Sequence, residues 1–113
     1  MANTVKPAKN EGDKVDKGLR DYELIVIISP EVADEEITAT LDRISRFIIE
    51  RGGSITEVSQ WGRRKLAYPI KNYMEGNYVL TNFKMEPGLT ADLEANLGVS
   101  EEILRHLLVR LSD

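Results

Sequence analysis

The sequence has no cysteine. That removes a disulfide framework, a thiolate metal site and a cysteine nucleophile, and it suits a reducing compartment. Histidine is almost as scarce, with His106 alone in the chain. A zinc site built from His and Cys is therefore excluded, and a Ser-His-Asp triad would have to rest on this one residue. No apolar run approaches the ~20 residues of a membrane span. The first residues carry Lys6, Lys9, Lys14 and Lys17 without an apolar stretch, so they do not read as a secretory signal. The phosphate loop G-x-x-x-x-G-K-[ST], the dinucleotide fingerprint G-x-G-x-x-G and the H-E-x-x-H metal motif are all missing. Glu35-Glu36 and Glu101-Glu102 are adjacent acids, but helix starts and solvated faces explain them better than a catalytic carboxylate pair. Nothing converges on His106. These absences point to a protein that is not an enzyme, with no catalytic residue, no metal and no cofactor.

What is present is a chain of 113 residues with a formal net charge of -4. Such a length normally makes one domain with one modest core. Within this acidic chain, the stretch W-G-R-R-K-L-A-Y-P-I-K-N-Y from Trp61 to Tyr73 stands apart. It sets Arg63, Arg64, Lys65 and Lys71 among Trp61, Tyr68 and Tyr73, and no acid lies between Glu57 and Glu75. A basic, aromatic-rich segment in an acidic protein suggests a local binding surface rather than a general electrostatic tendency. Solvated cations on the outer face of a long strand would give the same composition. The net charge argues against indiscriminate nucleic-acid affinity. It does not oppose contact by one cluster, because phosphate attraction is set within a Debye length of ~8–10 Å.

Along the chain, residues 1–19 read as a disordered N-terminal extension, rich in Lys, Asp, Asn and Gly and too poor in apolar groups to offset ordering entropy. Residues 20–113 read as the folded domain. The β-branched run Ile25 to Ile28 predicts a central strand that ends at Pro30. Asp34 is expected to cap a helix whose apolar stripe is Ile37, Leu41, Ile44 and Ile48, stopped by Gly52-Gly53. A second strand follows from Ser54. Gly62 within it marks a bulge or a change of twist, and Pro69 places it at a sheet edge or near its end. Beyond Gly62, Arg64, Leu66 and Tyr68 should face one way and Lys65 and Ala67 the other. Residues 72 to 77 read as a turn. The next strand shows Val79, Thr81 and Phe83 on one face and Tyr78, Leu80 and Asn82 on the other. Thr90 is expected to cap a short helix with the stripe Leu89, Leu93 and Leu97, closed by Gly98.

The last segment, E-E-I-L-R-H-L-L-V-R-L, is ambiguous. Leu104, Leu107, Leu108 and Leu111 fit a helical period, whereas Leu107, Val109 and Leu111 fit one side of a strand. A strand completes β-α-β-β-α-β, the ferredoxin-like α+β plan with two similar halves, and that symmetry favours it. The RNA-recognition motif shares this plan. Its third-strand signature is not matched, because E-G-N-Y-V-L-T-N-F lacks a pair of exposed aromatics at the required spacing.

R-D-Y-E-L near the start, Gly52-Gly53, and above all G-R-R-K-L-A-Y-P-I followed by E-G-N-Y-V resemble the bacterial small-subunit ribosomal protein S6 family. L-R-H-L-L-V-R-L looks like that family's last strand. The resemblance covers about residues 20 to 111. It implies four antiparallel strands with two helices on one face. It further implies a structural role in the small ribosomal subunit, in the cytoplasm, bound to the central domain of small-subunit rRNA as a heterodimer with ribosomal protein S18. Neither a membrane nor a small-molecule substrate is implied. The basic positions it carries over are Arg20 beside the first strand, Arg63, Arg64 and Lys65 before L-A-Y-P-I, and Arg105 in the last strand; Lys71 joins them from the basic stretch itself. His106 departs from the basic residue common at its place, and would contact RNA as a hydrogen-bond donor or part-time cation. The rival readings on the same fold are a small-molecule-binding regulatory module, which leaves Arg63-Arg64-Lys65 without a purpose, and an acylphosphatase-like enzyme. The latter needs an arginine in the loop after the first strand, where I-I-S-P-E-V-A-D-E-E offers four acids instead.

Overall fold

The structure, a computed structural model, describes residues 18–111. The expected N-terminal extension therefore lies outside the described residues, save for Gly18 and Leu19. The chain forms β1 (Arg20–Ile28), α1 (Asp34–Glu50), β2 (Ser54–Ile70), β3 (Tyr73–Met85), a 3-10 turn (Pro87–Leu89), α2 (Thr90–Gly98) and β4 (Ile103–Arg110). The sheet runs in the order β2-β3-β1-β4, and every neighbouring pair is antiparallel. This is the ferredoxin-like β-α-β-β-α-β plan. The last segment is thus a strand, as the symmetry of the two halves suggested.

The apolar patterns explain which face is covered. Tyr22, Leu24, Val26 and Ile28 alternate along β1 and are buried with Val79, Phe83 and Met85 of β3. Against them pack Ile37, Ile44 and Ile48 of α1 and Leu93 and Leu97 of α2. Tyr22 and Phe83 stack with centroids 5.6 Å apart. Each such fully buried side chain contributes about 1.5–3 kcal/mol. The α1 stripe also buries Thr40, one of three buried polar residues among those described, while Leu41 is only half-buried.

The helix ends follow from local chemistry. Asp34, the expected cap, is instead the first helical residue of α1, and Ala33, one place earlier, occupies the cap position without a side-chain hydrogen bond. Asp34, Glu35 and Glu36 in the first turn still meet the positive end of the helix dipole. At the other end Gly52 adopts φ 87°, and the N–H of Gly53 donates to the Ile48 carbonyl at 3.0 Å. In α2, Leu89 takes the cap position and Thr90 starts the helix, its hydroxyl donating to the Pro87 carbonyl at 2.9 Å.

The β2–β3 connection is tighter than the sequence suggests. Lys71 and Asn72, at φ 51° and 71°, make the reversal alone, as a two-residue hairpin requires, and β3 begins at Tyr73. Glu75-Gly76-Asn77, whose composition suggested the turn, lies inside β3. Gly76 sits there because the Ile27 side chain occupies the space a Cβ would need.

The hairpin outruns β1 and returns over the sheet face opposite the helices. There Leu66 joins Ile27 and Leu104 in a second buried cluster, with Ile70, Tyr73 and Tyr78 against it. A register shift in β4 opposite Ile27–Ile28 supplies Leu104 to this cluster. The rest of that face is open.

Candidate nucleic-acid interface

Four cations of the basic stretch lie at one pole of the sheet, where β2 and β3 run beyond β1. The register there places Arg63 opposite Asn77, Arg64 opposite Gly76 and Lys65 opposite Glu75. Arg64 and Leu66 therefore share the open face and Lys65 faces away, as the alternation predicted. Arg64, Lys65 and Lys71 are exposed, and no ion pair engages them among the described residues.

Arg63 is held differently. Its guanidinium donates to the Pro30 carbonyl at 2.8 Å and meets the Glu75 carboxylate at 3.6 Å. Both side chains of this pair are well exposed, so its contribution to stability is small. Arg63 braces the β1–α1 loop against the hairpin. Tyr73 does the same, its hydroxyl donating to Glu31 at 2.9 Å.

Arg105 reaches this pole from β4. It is exposed, and it donates to the Tyr68 hydroxyl at 2.8 Å. Lys71, Arg105 and His106 line one shallow hollow with Leu97, Gly98 and Leu104. The fold thus brings together Arg64, Lys65, Lys71 and Arg105, with Arg63 beside them.

Two of the expected residues stand elsewhere. Arg20 pairs with Met85 at the opposite end of β1, is half-buried, and donates to the Leu19 carbonyl. His106 pairs with Val26, so its side chain lies on the helix side of the sheet, 3.2 Å from Glu94 of α2. Arg20 does not share the surface formed by the other cations, and His106 meets it only at the hollow it lines with Lys71 and Arg105.

The structure adds an aromatic pair that sequence spacing did not reveal. Trp61 and Tyr78 stack with centroids 6.4 Å apart and planes within 9°. The register shifts between Gln60 and Gly62, and Gly62 adopts φ 84°. Trp61 is the extra residue of this bulge, which turns its ring onto the open face beside Tyr78. Arg64 then lies over the indole, 5.4 Å from its centre. Gly62 was the available signal, since it announced a bulge. What it could not announce was the cross-strand neighbour.

Fold and surface together define a ferredoxin-like protein with an open sheet face, basic and aromatic at one pole. The chain belongs to the ribosomal protein S6 family, whose sequence profile matches residues 21–110. It is 41% identical over 95 residues to small ribosomal subunit protein bS6 of Caldanaerobacter subterraneus subsp. tengcongensis, covering 84% of this chain and 100% of that one. The bS6 protein of Dehalococcoides mccartyi is 42% identical over 97 residues, covering 86% and 89%. The crystal structure of 30S ribosomal protein S6 from Thermotoga maritima superposes with a TM-score of 0.78 at 36% identity, covering 81% of this chain and 87% of that one.

Proposed function

We propose that this chain is a structural constituent of the small ribosomal subunit, binding the central domain of small-subunit rRNA jointly with ribosomal protein S18. The observation that carries this reading is the gathering of Arg64, Lys65, Lys71 and Arg105, from three parts of the chain, onto one exposed pole of a protein with net charge -4. Such a cluster contacts phosphates and positions the protein on RNA shape rather than on base sequence. The role is not enzymatic, and the place of action is the ribosome in the cytoplasm.

Four phosphate contacts give modest affinity, which a protein partner must supplement. Leu107 and Val109, exposed on the open face of β4, offer apolar contact for that partner. The acidic first turn of α1 favours a basic one.

The test is binding to a central-domain rRNA fragment, with and without S18, across a salt series. Neutralising about four phosphates should give a slope of log affinity on log salt near −3 to −3.5, with tighter binding when S18 is present. Salt-independent binding, or none even with S18, would overturn the reading.

A further inference from the structure

Trp61 is the one feature of the basic stretch that phosphate contact leaves unused. It is a large aromatic left 42% exposed, and it is the only tryptophan in the chain. Strand alternation alone would not place it there. The bulge at Gly62 inserts it opposite Tyr78, and the positive φ of that glycine makes the bulge possible. The ring stacks on a near-parallel tyrosine 6.4 Å away, and the Arg64 guanidinium lies over it, 5.4 Å from its centre.

We infer that Trp61, backed by Tyr78 and flanked by Arg64, is a stacking platform for one unpaired nucleobase of single-stranded RNA. The inference rests on the rRNA reading above and adds a base contact to its phosphate contacts. Every base has a π-face, so stacking on a rigid indole needs no sequence match. Arg64 suits the same ligand, because its guanidinium, moved off the indole, can meet the adjoining phosphate and leave the ring to the base.

The charges on this face favour RNA over an apolar protein segment. By register the acids Glu23 and Glu57 share the far end of the open face, both opposite Asn82, whereas Arg64 and Arg105 lie at the Trp61 end. An apolar segment laid over Trp61 would bury Arg64 without an acid to pair it, which is costly. A nucleotide satisfies both groups. Next to Tyr78 the same face has a largely apolar hollow of about 180 Å³, lined by Ile25, Ile27, Arg105, His106 and Leu107. That is smaller than the roughly 300–1,000 Å³ of a pocket for a drug-sized ligand, and it leaves open space beside the stacked rings.

The single tryptophan makes the test site-specific. The full chain is titrated at low salt with a short single-stranded RNA and, separately, with an abasic oligonucleotide of the same length. The base-bearing RNA should quench Trp61 emission to saturation and bind about tenfold more tightly than the abasic one. Trp61→Ala should abolish that preference while leaving binding of the abasic oligonucleotide unchanged. Trp61→Phe, which keeps a ring, should retain most of the preference, and circular dichroism of both variants verifies folding. Equal affinity for the two oligonucleotides, or a preference that survives Trp61→Ala, overturns the inference. So does an emission change on adding S18 with none on adding RNA, which would assign the ring to a protein interface. In each of these cases the salt slope on the rRNA fragment still judges the rRNA reading by itself.

Discussion

Arg105 donates a 2.8 Å hydrogen bond to the hydroxyl of Tyr68, thirty-seven residues earlier in the chain. The bond ties the returning hairpin to the last strand, directly above the Leu66–Ile27–Leu104 cluster. Removing the hydroxyl with Tyr68→Phe should cost less than about 1 kcal/mol, because both groups are exposed. The effect should be local. Amide hydrogen exchange should quicken from Leu66 to Met74 and stay unchanged in β1. Unchanged exchange at the tip would show that the apolar cluster alone holds the hairpin down.

The cations should divide by what they already touch. Arg64→Ala and Lys71→Ala should each weaken rRNA binding and flatten the salt slope by about 0.7–0.9. Arg63 is engaged by Pro30 and Glu75, so Arg63→Ala should flatten the slope less and loosen the β1–α1 loop instead. His106→Gln should leave the slope as it is, since the side chain meets Glu94 on the helix side. Filter binding across salt for the four variants checks this ordering, and equal slopes for all four would contradict it.

Gly76 and Gly98 offer a matched pair of backbone tests. An added Cβ at Gly76 would run into Cγ2 of Ile27, inside the second cluster. Gly76→Ala should therefore destabilise the protein by about 1–3 kcal/mol. At Gly98 a Cβ meets nothing within 4 Å. Gly98→Ala should be neutral or stabilising by up to about 1 kcal/mol, through reduced freedom of the unfolded chain. Urea denaturation of both variants reads the contrast.

Glu102 makes stability depend on acid. Burial pushes its carboxyl pKa up, but its own backbone N–H, the Thr40 hydroxyl and the Arg43 guanidinium outweigh burial and hold it below the usual glutamate range. The Thr40 and Arg43 contacts are 3.0 and 3.1 Å. A group depressed in the folded state contributes stability above its unfolded pKa, near 4.3, and loses that contribution as pH falls through the lower folded value. Glu102→Gln should lower stability at neutral pH by about 1 kcal/mol and reduce the acid-dependent loss below pH ~4.3. Stability measured by denaturation across pH checks it; a parallel decline in parent and variant would remove Glu102 as a cause.

Much of the fold is legible because single residues announce it. Ile37, Ile44 and Ile48 mark the buried face of α1, the Ile25–Ile28 run marks a strand covered on one face and partly on the other, and Gly62 marks a bulge. The turn was misplaced because Glu75-Gly76-Asn77 has turn composition for another reason, the bulk of Ile27. The last strand looked half helical because it carries leucines on both faces. Leu104 lies under the hairpin and Leu108 against the helices, so period two is blurred by a register shift no local pattern reveals. At the surface, sequence found the cations but not their grouping. Arg20 opens β1 and Arg63 lies within β2, and register alone puts them at opposite ends of the sheet.

The strand order has a practical consequence. The N–H of Leu111 donates to the carbonyl of Asp21 at 2.8 Å, and Tyr22 pairs with Arg110. The folded domain is therefore entered and left at the same place, at the end of β1 farthest from the Lys71–Asn72 turn. Nine residues of β1 alone put roughly 26 Å between that place and Ile28. A dye, an affinity tag or a surface anchor attached at Gly18 or Leu111, the ends of the described domain, would sit away from the basic pole. Immobilised by such a handle, the protein would turn Arg64, Lys71 and Trp61 towards the solution.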